Sequence, residues 1–424
     1  MTTDIDARSK KRALAVFVGC CVMQAFGLGT ILNSSSAYFA VVPGAVGLGM
    51  GEFAMWLTCY GIAALFGTFF AGILIPKFGA KTVISVDVVI SAIAVACFAF
   101  ATEAWQFAAL GVVIGLSGGM YFLYATPLLM NAWFGKKYLG RYLGIAQLFS
   151  GIGGAIFPLV FTSLFGVIGY QGVYFLNAVL IACILIFSLT VFCENPAKIG
   201  LHAYGAEEDV TKGSDEAKIS FPGVPLKYAL PTLAFVLCFI GCALSAFPGS
   251  YNSYIQANAV SVLGDGYLAF SATLMTALQI GYIISTFVAG FLADKIGIKK
   301  VTIILYAILI ICYILFSFLN SPFALLACAF FFGMNNSLVT ISIPMLVKEY
   351  FGDKAYDKIL SYCMMGVGLM GSMGAPVIGF IFDSTGSYSG TFIVGAVVGA
   401  VAIVAILAAF PFAKKVREAH WANS

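Results

Sequence analysis

The chain has 424 residues, of which 61% are hydrophobic and only 9% are Asp, Glu, Lys or Arg, and its formal net charge is +4. The mean hydropathy is +1.01. Soluble globular domains carry about 25% charged residues, so this composition excludes an ordinary soluble protein and places most of the chain in lipid.

Apolar runs of membrane-spanning length recur along the whole chain. Each has roughly 20 or more residues, enough to cross about 30 Å of hydrocarbon as a helix. Helices are predicted because lipid leaves no water for unpaired backbone groups, and none of the runs alternates as barrel strands do. The twelve predicted spans, numbered 1 to 12 in chain order, are 13–40, 52–75, 82–101, 105–132, 142–166, 170–192, 228–256, 267–292, 300–319, 322–347, 359–382 and 388–412.

The basic residues are segregated by these spans. All 22 Lys and Arg residues fall in the two tails or in the even-numbered connections. The opposite connections carry acids: Glu52, Glu103, Asp265 and Asp383. The positive-inside rule therefore predicts that both termini and the even-numbered connections are cytoplasmic.

One long polar stretch, residues 193–227, divides the chain into two halves of six spans. It mixes acids with lysines and glycines, which is typical of a linker. The predicted organisation is a first half at 1–192, a cytoplasmic linker at 193–227 and a second half at 228–424.

The two halves share sequence at a nearly constant offset. Gly72–Lys81 after span 2 resembles Gly290–Lys299 after span 8, at an offset of 218. Trp133–Lys137 after span 4 resembles Tyr350–Lys354, at an offset of 217. Matches at offsets that agree to within one residue indicate an internal duplication.

The connection after span 8 is similar to the signature of the major facilitator superfamily, G-x-x-x-D-[RK]-x-G-x-[RK]. The matching residues are Gly290, Asp294, Lys295, Gly297 and Lys299. The first copy keeps Gly72, Lys77, Gly79 and Lys81, but has Pro76 where the acid belongs and Ala80 where a basic residue is common. The resemblance implies an all-α membrane protein with twelve transmembrane helices in two six-helix halves, the major facilitator fold, that transports by alternating access.

The connection between spans 4 and 5 resembles one branch of that superfamily, the oxalate/formate antiporters and monocarboxylate transporters. The resemblance lies in Asn131–Lys137 and Arg141, and it implies a small carboxylate as substrate. That branch usually holds the carboxylate with an arginine in span 8. This chain has Thr286 at that position.

The ionisable candidate inside a span is Asp87, in span 3. A charge within the bilayer is costly, so such a group indicates function by default. Two interpretations stay open: the carboxylate pairs locally with Lys136, with Lys137 or with the connection between spans 2 and 3, or it couples protons or substrate to transport. The absence of other carboxylates within the spans favours exchange or facilitated diffusion over a dedicated proton relay.

The other candidates for substrate binding are polar and uncharged. Gln279, Tyr282 and Thr286 share one helical stripe of span 8. In the superfamily, spans 1, 4, 7 and 10 line the central cavity, with contributions from spans 2, 5, 8 and 11. The alternative is that these groups hold helices together, each contributing about 0.6 kcal/mol. The candidates are Gln24, Tyr121, Tyr124, Gln147, Tyr254, Gln279, Tyr282, Thr286, Asn335 and Asn336.

The sequence predicts a secondary active or facilitative transporter of a small organic solute, with an organic mono- or dicarboxylate as the leading class. The alternatives are an exporter of a neutral or amphiphilic compound and a membrane sensor without transport. We expect no enzymatic activity, no cofactor or metal, and no nucleic-acid partner. The eleven cysteines are interpreted as small packing residues. The expected form is a monomer in the lipid bilayer of a bacterial inner membrane.

Overall fold

The computed structural model describes residues 2–205 and 223–421. Residues 206–222 of the predicted linker, with the acids from Glu207 to Glu216, lie outside these ranges, as do the side chains of Lys136 and Lys137. The chain forms two compact units. Unit 1 comprises Met1–Leu48 and Met55–Ala217, and unit 2 comprises Gly49–Ala54 and Lys218–Ser424.

The first nine α-helices carry the apolar runs of the first half. Two π-helical segments, Gln24–Gly29 and Gly119–Tyr124, interrupt them, and Phe98–Phe100 and Pro196–Ile199 are short 3-10 turns. The helices are α1 (Thr2–Met23), α2 (Ser35–Phe39), α3 (Val42–Val46), α4 (Met50–Phe78), α5 (Ala80–Cys97), α6 (Ala104–Gly118), α7 (Ala125–Trp133), α8 (Lys136–Ala182) and α9 (Ile184–Thr190).

Ten further helices are described between residues 223 and 421. A third π-helical segment is Leu338–Ser342, and the 3-10 turns are Tyr251–Tyr254 and Asp265–Tyr267. The helices are α10 (Leu226–Ala229), α11 (Leu233–Leu244), α12 (Phe247–Ser250), α13 (Ile255–Leu263), α14 (Leu268–Ile296), α15 (Ile298–Phe316), α16 (Pro322–Gly333), α17 (Ile343–Phe351), α18 (Tyr356–Thr385) and α19 (Tyr388–His420).

The predicted helical membrane fold is confirmed. Within the described ranges, eleven helical segments are long and apolar enough to cross a membrane. One of them, Tyr138–Thr190, has 53 residues, about 80 Å of helix at 1.5 Å per residue, which is more than one bilayer crossing requires. It breaks at Gly169, where φ is +68°, so it supplies two of the twelve predicted spans.

The internal repeat is visible in the helix bounds. Met50–Phe78 and Leu268–Ile296 both have 29 residues, and both of their ends differ by 218. The segment Ala104–Trp133 corresponds in the same way to Pro322–Phe351, each with 30 residues. The two signature connections also repeat in conformation, with φ of +83° at Gly79 and +84° at Gly297.

Glycines let two helices of unit 1 touch backbone to backbone. Gly111, Gly115 and Gly119 recur every fourth residue along one face of α6 and the π segment that follows it. A Cβ built on Gly115 would lie 2.3 Å from the carbonyl oxygen of Tyr60 in α4. The equivalent glycine of unit 2, Gly333, shows the same crowding, with 1.9 Å to the carbonyl oxygen of Leu278. This small-residue spacing is typical of tightly packed membrane helices.

We expect Gly115→Ala to destabilise the protein by about 1–3 kcal/mol, because the new methyl group must push α6 away from α4. Thermal unfolding in detergent measures the effect. The matched control is Gly144→Ala in α8, since a Cβ there meets nothing within 4 Å. Equal stability of the two variants would contradict this account of the interface.

Glu194 supplies an acid to the first signature connection, which lacks one in its own sequence. Its Oε2 accepts a hydrogen bond from the backbone N–H of Ala80, the first residue of α5, at 3.1 Å. It also pairs with Lys198. Burial works to raise the pKa of Glu194, but the hydrogen bonds from Lys198 and from the backbone N–H groups outweigh it and lower that pKa. A negative charge at a helix N-terminus is favourable.

Replacing Glu194 by Gln should lower the thermal stability of the protein at pH 7, by about 0.3–1 kcal/mol for a charge at a helix end. The pKa of Glu194 is lower in the folded state than its ordinary value of 4.5, so the stabilisation by its carboxylate is complete above pH 4.5. This stabilisation is lost as the pH falls through the lowered pKa of the folded state. Melting curves of both proteins from pH 7 downward should therefore converge in acid. A constant difference across this range would rule out the charge as the cause.

Candidate functional site

Unit 1 contains a buried cluster of polar side chains between its helices, which we call the polar cluster. At most 5% of the surface of each member is exposed. Buried polar groups normally have hydrogen-bond partners, yet several atoms of this cluster have none among the described residues. Its members are Gln24, Tyr60, Asp87, Ser91, Ser117 and Tyr121.

Two π-helical segments position the ends of the cluster. Such segments add a residue to a helical turn, loosen its hydrogen-bond ladder and frequently occur at functional sites. Gln24 begins the first segment, and its Nε2 donates to the carbonyl oxygen of Phe122 in the second segment, at 2.9 Å. The same nitrogen donates to Oγ1 of Thr126 at 3.0 Å. Gln24 Oε1 is left without a partner in the described structure.

Tyr121 lies at the centre of the cluster. Its ring packs against Gly27, where an added Cβ would be 3.0 Å from the ring and 3.3 Å from the hydroxyl oxygen. Ser91 lies close to that hydroxyl, and the Ser91 and Ser117 hydroxyls are hydrogen-bonded at 2.6 Å. The Tyr121 and Tyr60 hydroxyls make no hydrogen bond of normal geometry to the described residues. Among the described residues, these buried hydroxyls therefore keep unused hydrogen-bonding capacity.

Asp87 adds a carboxylate to these neutral groups. Only 4% of its surface is exposed, and its Oδ2 is buried without a hydrogen-bond partner among the described residues. Tyr121 is near enough to interact with it electrostatically. The predicted pairing with Lys136 or Lys137 concerns side chains outside the described part of the chain, so that interpretation stays a prediction.

In unit 2, the predicted stripe lies on α14. Gln279 is 3% exposed, and its amide has no hydrogen-bond partner within the described ranges. Tyr282 and Thr286 are half-buried. Thr286 Oγ1 donates to the carbonyl oxygen of Tyr282 at 2.9 Å, and the Tyr282 hydroxyl faces Thr340. Gln279 is thus the member of this stripe whose hydrogen-bonding groups remain unused.

The remaining candidates occupy varied environments. The Tyr254 hydroxyl donates to the carbonyl oxygen of Ala375 at 2.6 Å, which fixes α18 against the turn before α13. Asn335 is buried, and its side-chain amide donates to the carbonyl oxygen of Phe332, within the same turn of the chain. Asn336 and Tyr124 are half-buried, and Gln147 is exposed.

The signature residues lie at helix ends. Lys81, Arg141 and Asp294 are exposed. Three signature lysines contact aromatic rings: Nζ of Lys77 is 5.2 Å from the Phe78 centroid, that of Lys295 is 4.4 Å from Phe291, and that of Lys299 is 4.8 Å from Phe410. These are cation–π distances. Gly72 and Gly290 lie one to two turns earlier in α4 and α14.

Three members of the polar cluster were not among the sequence-predicted site residues: Tyr60, Ser91 and Ser117. The sequence spacing could have identified two of them. Ser91 follows Asp87 by four residues, and Ser117 precedes Tyr121 by four, so each shares a helix face with a candidate. Paired polar positions of this kind in adjacent spans would have indicated the cluster.

Comparison with known proteins agrees with this architecture. The model of the Major Facilitator Superfamily matches residues 15–273 and 233–423. The sialic acid transporter NanX of Escherichia coli K12 is 23% identical over 326 residues, covering 75% of this chain and 74% of the relative. The MFS-type transporter hasB of Aspergillus fumigatus is 25% identical over 341 residues, covering 78% of this chain and 74% of the relative.

Solved transporter structures share the fold. The crystal structure of a point mutant of the nucleoside transporter NupG has a TM-score of 0.72 at 17% identity, covering 95% of this chain and 99% of that one. An inward-facing bacterial homologue of the human lysosomal transporter Spinster has a TM-score of 0.69 at 12% identity, covering 98% and 99%.

Proposed function

Because the chain belongs to the major facilitator superfamily and is a multi-pass membrane transporter of that type, we propose that it carries a small organic acid by alternating access, together with a proton. The substrate class and the proton are the new elements of this proposal. The observation that carries it is the buried Asp87 carboxylate, whose Oδ2 lacks a hydrogen-bond partner in the described structure.

The burial of the Asp87 carboxylate favours coupling to a proton. An ionised carboxylate without a partner in a low-dielectric interior is costly, and a bound proton removes its charge. Intramembrane acids of this kind serve as proton relays in pumps and transporters. Asp87 interacts electrostatically with Tyr121, whose hydroxyl lies close to Ser91, so hydroxyl groups that can exchange hydrogen bonds are present near the carboxylate.

Three further observations favour a small organic acid as the substrate. The connection around Asn131–Lys137 resembles transporters of small carboxylates, and one relative is named for transport of sialic acid. Thr286 stands where that branch uses an arginine. A substrate anion without a basic partner requires its charge to be balanced, and one co-transported proton does so. Uncharged groups of unit 1, such as Gln24 Oε1 and the Tyr121 hydroxyl, would then bind polar atoms of the substrate. In unit 2, Gln279 is the corresponding candidate.

A second candidate function is transport of a neutral solute. The absence of Lys and Arg from the interior of the predicted spans favours it, because an uncharged substrate needs no cation. The two candidates differ in electrical behaviour. A proton moved with a monocarboxylate anion carries no net charge, whereas a proton moved with a neutral solute carries one positive charge.

Uptake by purified protein in liposomes separates these possibilities. The panel contains labelled mono- and dicarboxylic acids, sialic acid, nucleosides and sugars, each tested with an imposed pH gradient and, separately, with an imposed membrane potential. We expect one of the monocarboxylic acids to accumulate with the pH gradient and to respond little to the potential, which is worth about 2.3 kcal/mol per charge at 100 mV. Accumulation of neutral solutes alone would replace the proposal with the second candidate.

A further inference from the structure

Unit 2 holds a cluster of three thiols that the transport function does not use. Cys238 and Cys242 lie one turn apart on α11, and Cys363 lies on α18. All three residues are fully buried, with 0% of their surface exposed. Their sulfur atoms lie within 4.8 Å of one another, and the Cys238 and Cys242 sulfurs are 3.9 Å apart.

Close helix packing brings the thiols together. Gly366 follows Cys363 by three residues and so shares its helix face. A Cβ added at Gly366 would lie 2.9 Å from the Phe239 ring and 3.2 Å from the Cβ of Ala243. Both of these residues are neighbours of the α11 cysteines in sequence. The glycine thus sets the distance between the two helices at the level of the cluster.

We propose that Cys238, Cys242 and Cys363 form a three-coordinate site for a soft metal ion of the Cu(I) class. A metal–thiolate bond of about 2.3 Å places three sulfurs of a trigonal site about 4.0 Å apart. The observed separations require only small side-chain rotations to reach this arrangement. Soft thiolate ligands favour Cu(I), zinc and iron–sulfur clusters over hard ions such as Mg²⁺ and Ca²⁺.

The number of protein ligands favours Cu(I) over zinc. Structural zinc sites are almost always tetrahedral with four protein ligands. Among the described residues, no fourth Cys, His, Asp or Glu joins this cluster.

Binding is an exchange of protons for the ion. Each thiol that becomes a thiolate releases one proton to solvent and donates an electron pair to the metal, and no electron is transferred. Affinity should therefore rise with pH. The bound ion would fasten α11 to α18, so it should also raise the melting temperature of the protein, since a ligand that binds the folded state stabilises it.

The test titrates Cu(I) into the purified full-length protein without oxygen, in competition with a chromophoric Cu(I) chelator. We expect one Cu(I) per chain in the wild type and a loss of affinity of about 10–100-fold or more in Cys363→Ser. Cys363→Ala and Cys238→Ala provide second variants in case the serine variant fails to fold. Cys328→Ser is the matched control, since Cys328 is buried in the same unit beside Cys312 and outside the cluster.

The melting temperature with and without Cu(I) gives an independent reading. It should rise in the wild type and in Cys328→Ser, and stay unchanged in folded Cys363→Ala. The proposal is overturned if the folded wild type retains no Cu(I), if the Cys363 variants retain as much as the wild type, or if freshly purified protein contains a disulfide from Cys363 to α11. None of these measurements depends on transport activity.

Discussion

Asp87→Asn is expected to remove proton-driven accumulation of the substrate. The amide has almost the same shape as the carboxyl group but does not gain or lose a proton in the physiological pH range. A gradient of one pH unit is worth about 1.4 kcal/mol, which supports about tenfold accumulation when one proton is coupled. In liposomes, the ratio of internal to external substrate should therefore fall from about ten to about one.

Substrate exchange without a gradient separates coupling from binding in this variant. Exchange of labelled for unlabelled substrate needs no net driving force and therefore no coupled proton. It should persist in Asp87→Asn. Asp265→Asn is the matched control, since Asp265 is an exposed acid in a predicted outer connection. Undiminished accumulation by Asp87→Asn, at normal incorporation into liposomes, would refute proton coupling through this residue.

Gln279→Leu should weaken substrate binding by about 1–3 kcal/mol, which is the cost of leaving a buried polar group of the substrate unsatisfied. Leucine keeps the volume of the side chain but removes the donor and the acceptor. This corresponds to an increase of about 5–150-fold in the dissociation constant. The half-saturating concentration for uptake, or direct binding to the purified protein, measures the effect.

The structure provides a contrasting variant for this experiment. Gln24 Nε2 is bonded to Phe122 and Thr126, so Gln24→Leu should lower the stability of unit 1 as well as substrate affinity. Gln279 has no such bonds within the described residues, so its replacement should leave the melting temperature nearly unchanged. Gln171→Leu, at an exposed helix end, controls for the substitution itself. Normal affinity in Gln279→Leu would remove this residue from the proposed site.

The polar cluster brings together residues from different helices of unit 1. Asp87 and Ser91 come from α5, whereas Tyr121 and Ser117 come from α6 and the π segment after it. The sequence identified Asp87 and Tyr121 separately, because each is an unusual residue for the interior of a span. Their proximity depends on how α4, α5 and α6 pack, which in turn depends on the glycines that let α6 approach the backbone of α4.

The sequence by itself determined the class of the protein, its spans and its duplication. Each of these features depends only on the order of residues along the chain. The cost of exposing polar backbone to lipid sets the span length, and the segregation of Lys and Arg sets the predicted orientation. The repeat offset of 218 between Gly72 and Gly290 reappears without change in the bounds of α4 and α14. Helix length in a membrane is fixed locally, so sequence patterns predict it well.

Only the tertiary structure decided which polar groups are already satisfied. Tyr254 and Gln279 were both predicted to bind substrate, but the Tyr254 hydroxyl is bonded to Ala375 whereas the Gln279 amide has no partner in the described part of the chain. In the same way, Cys363 lies more than 120 positions from Cys238 in sequence, yet the three thiols converge. Helical periodicity gives the face on which a side chain lies; packing between helices decides which group it meets there.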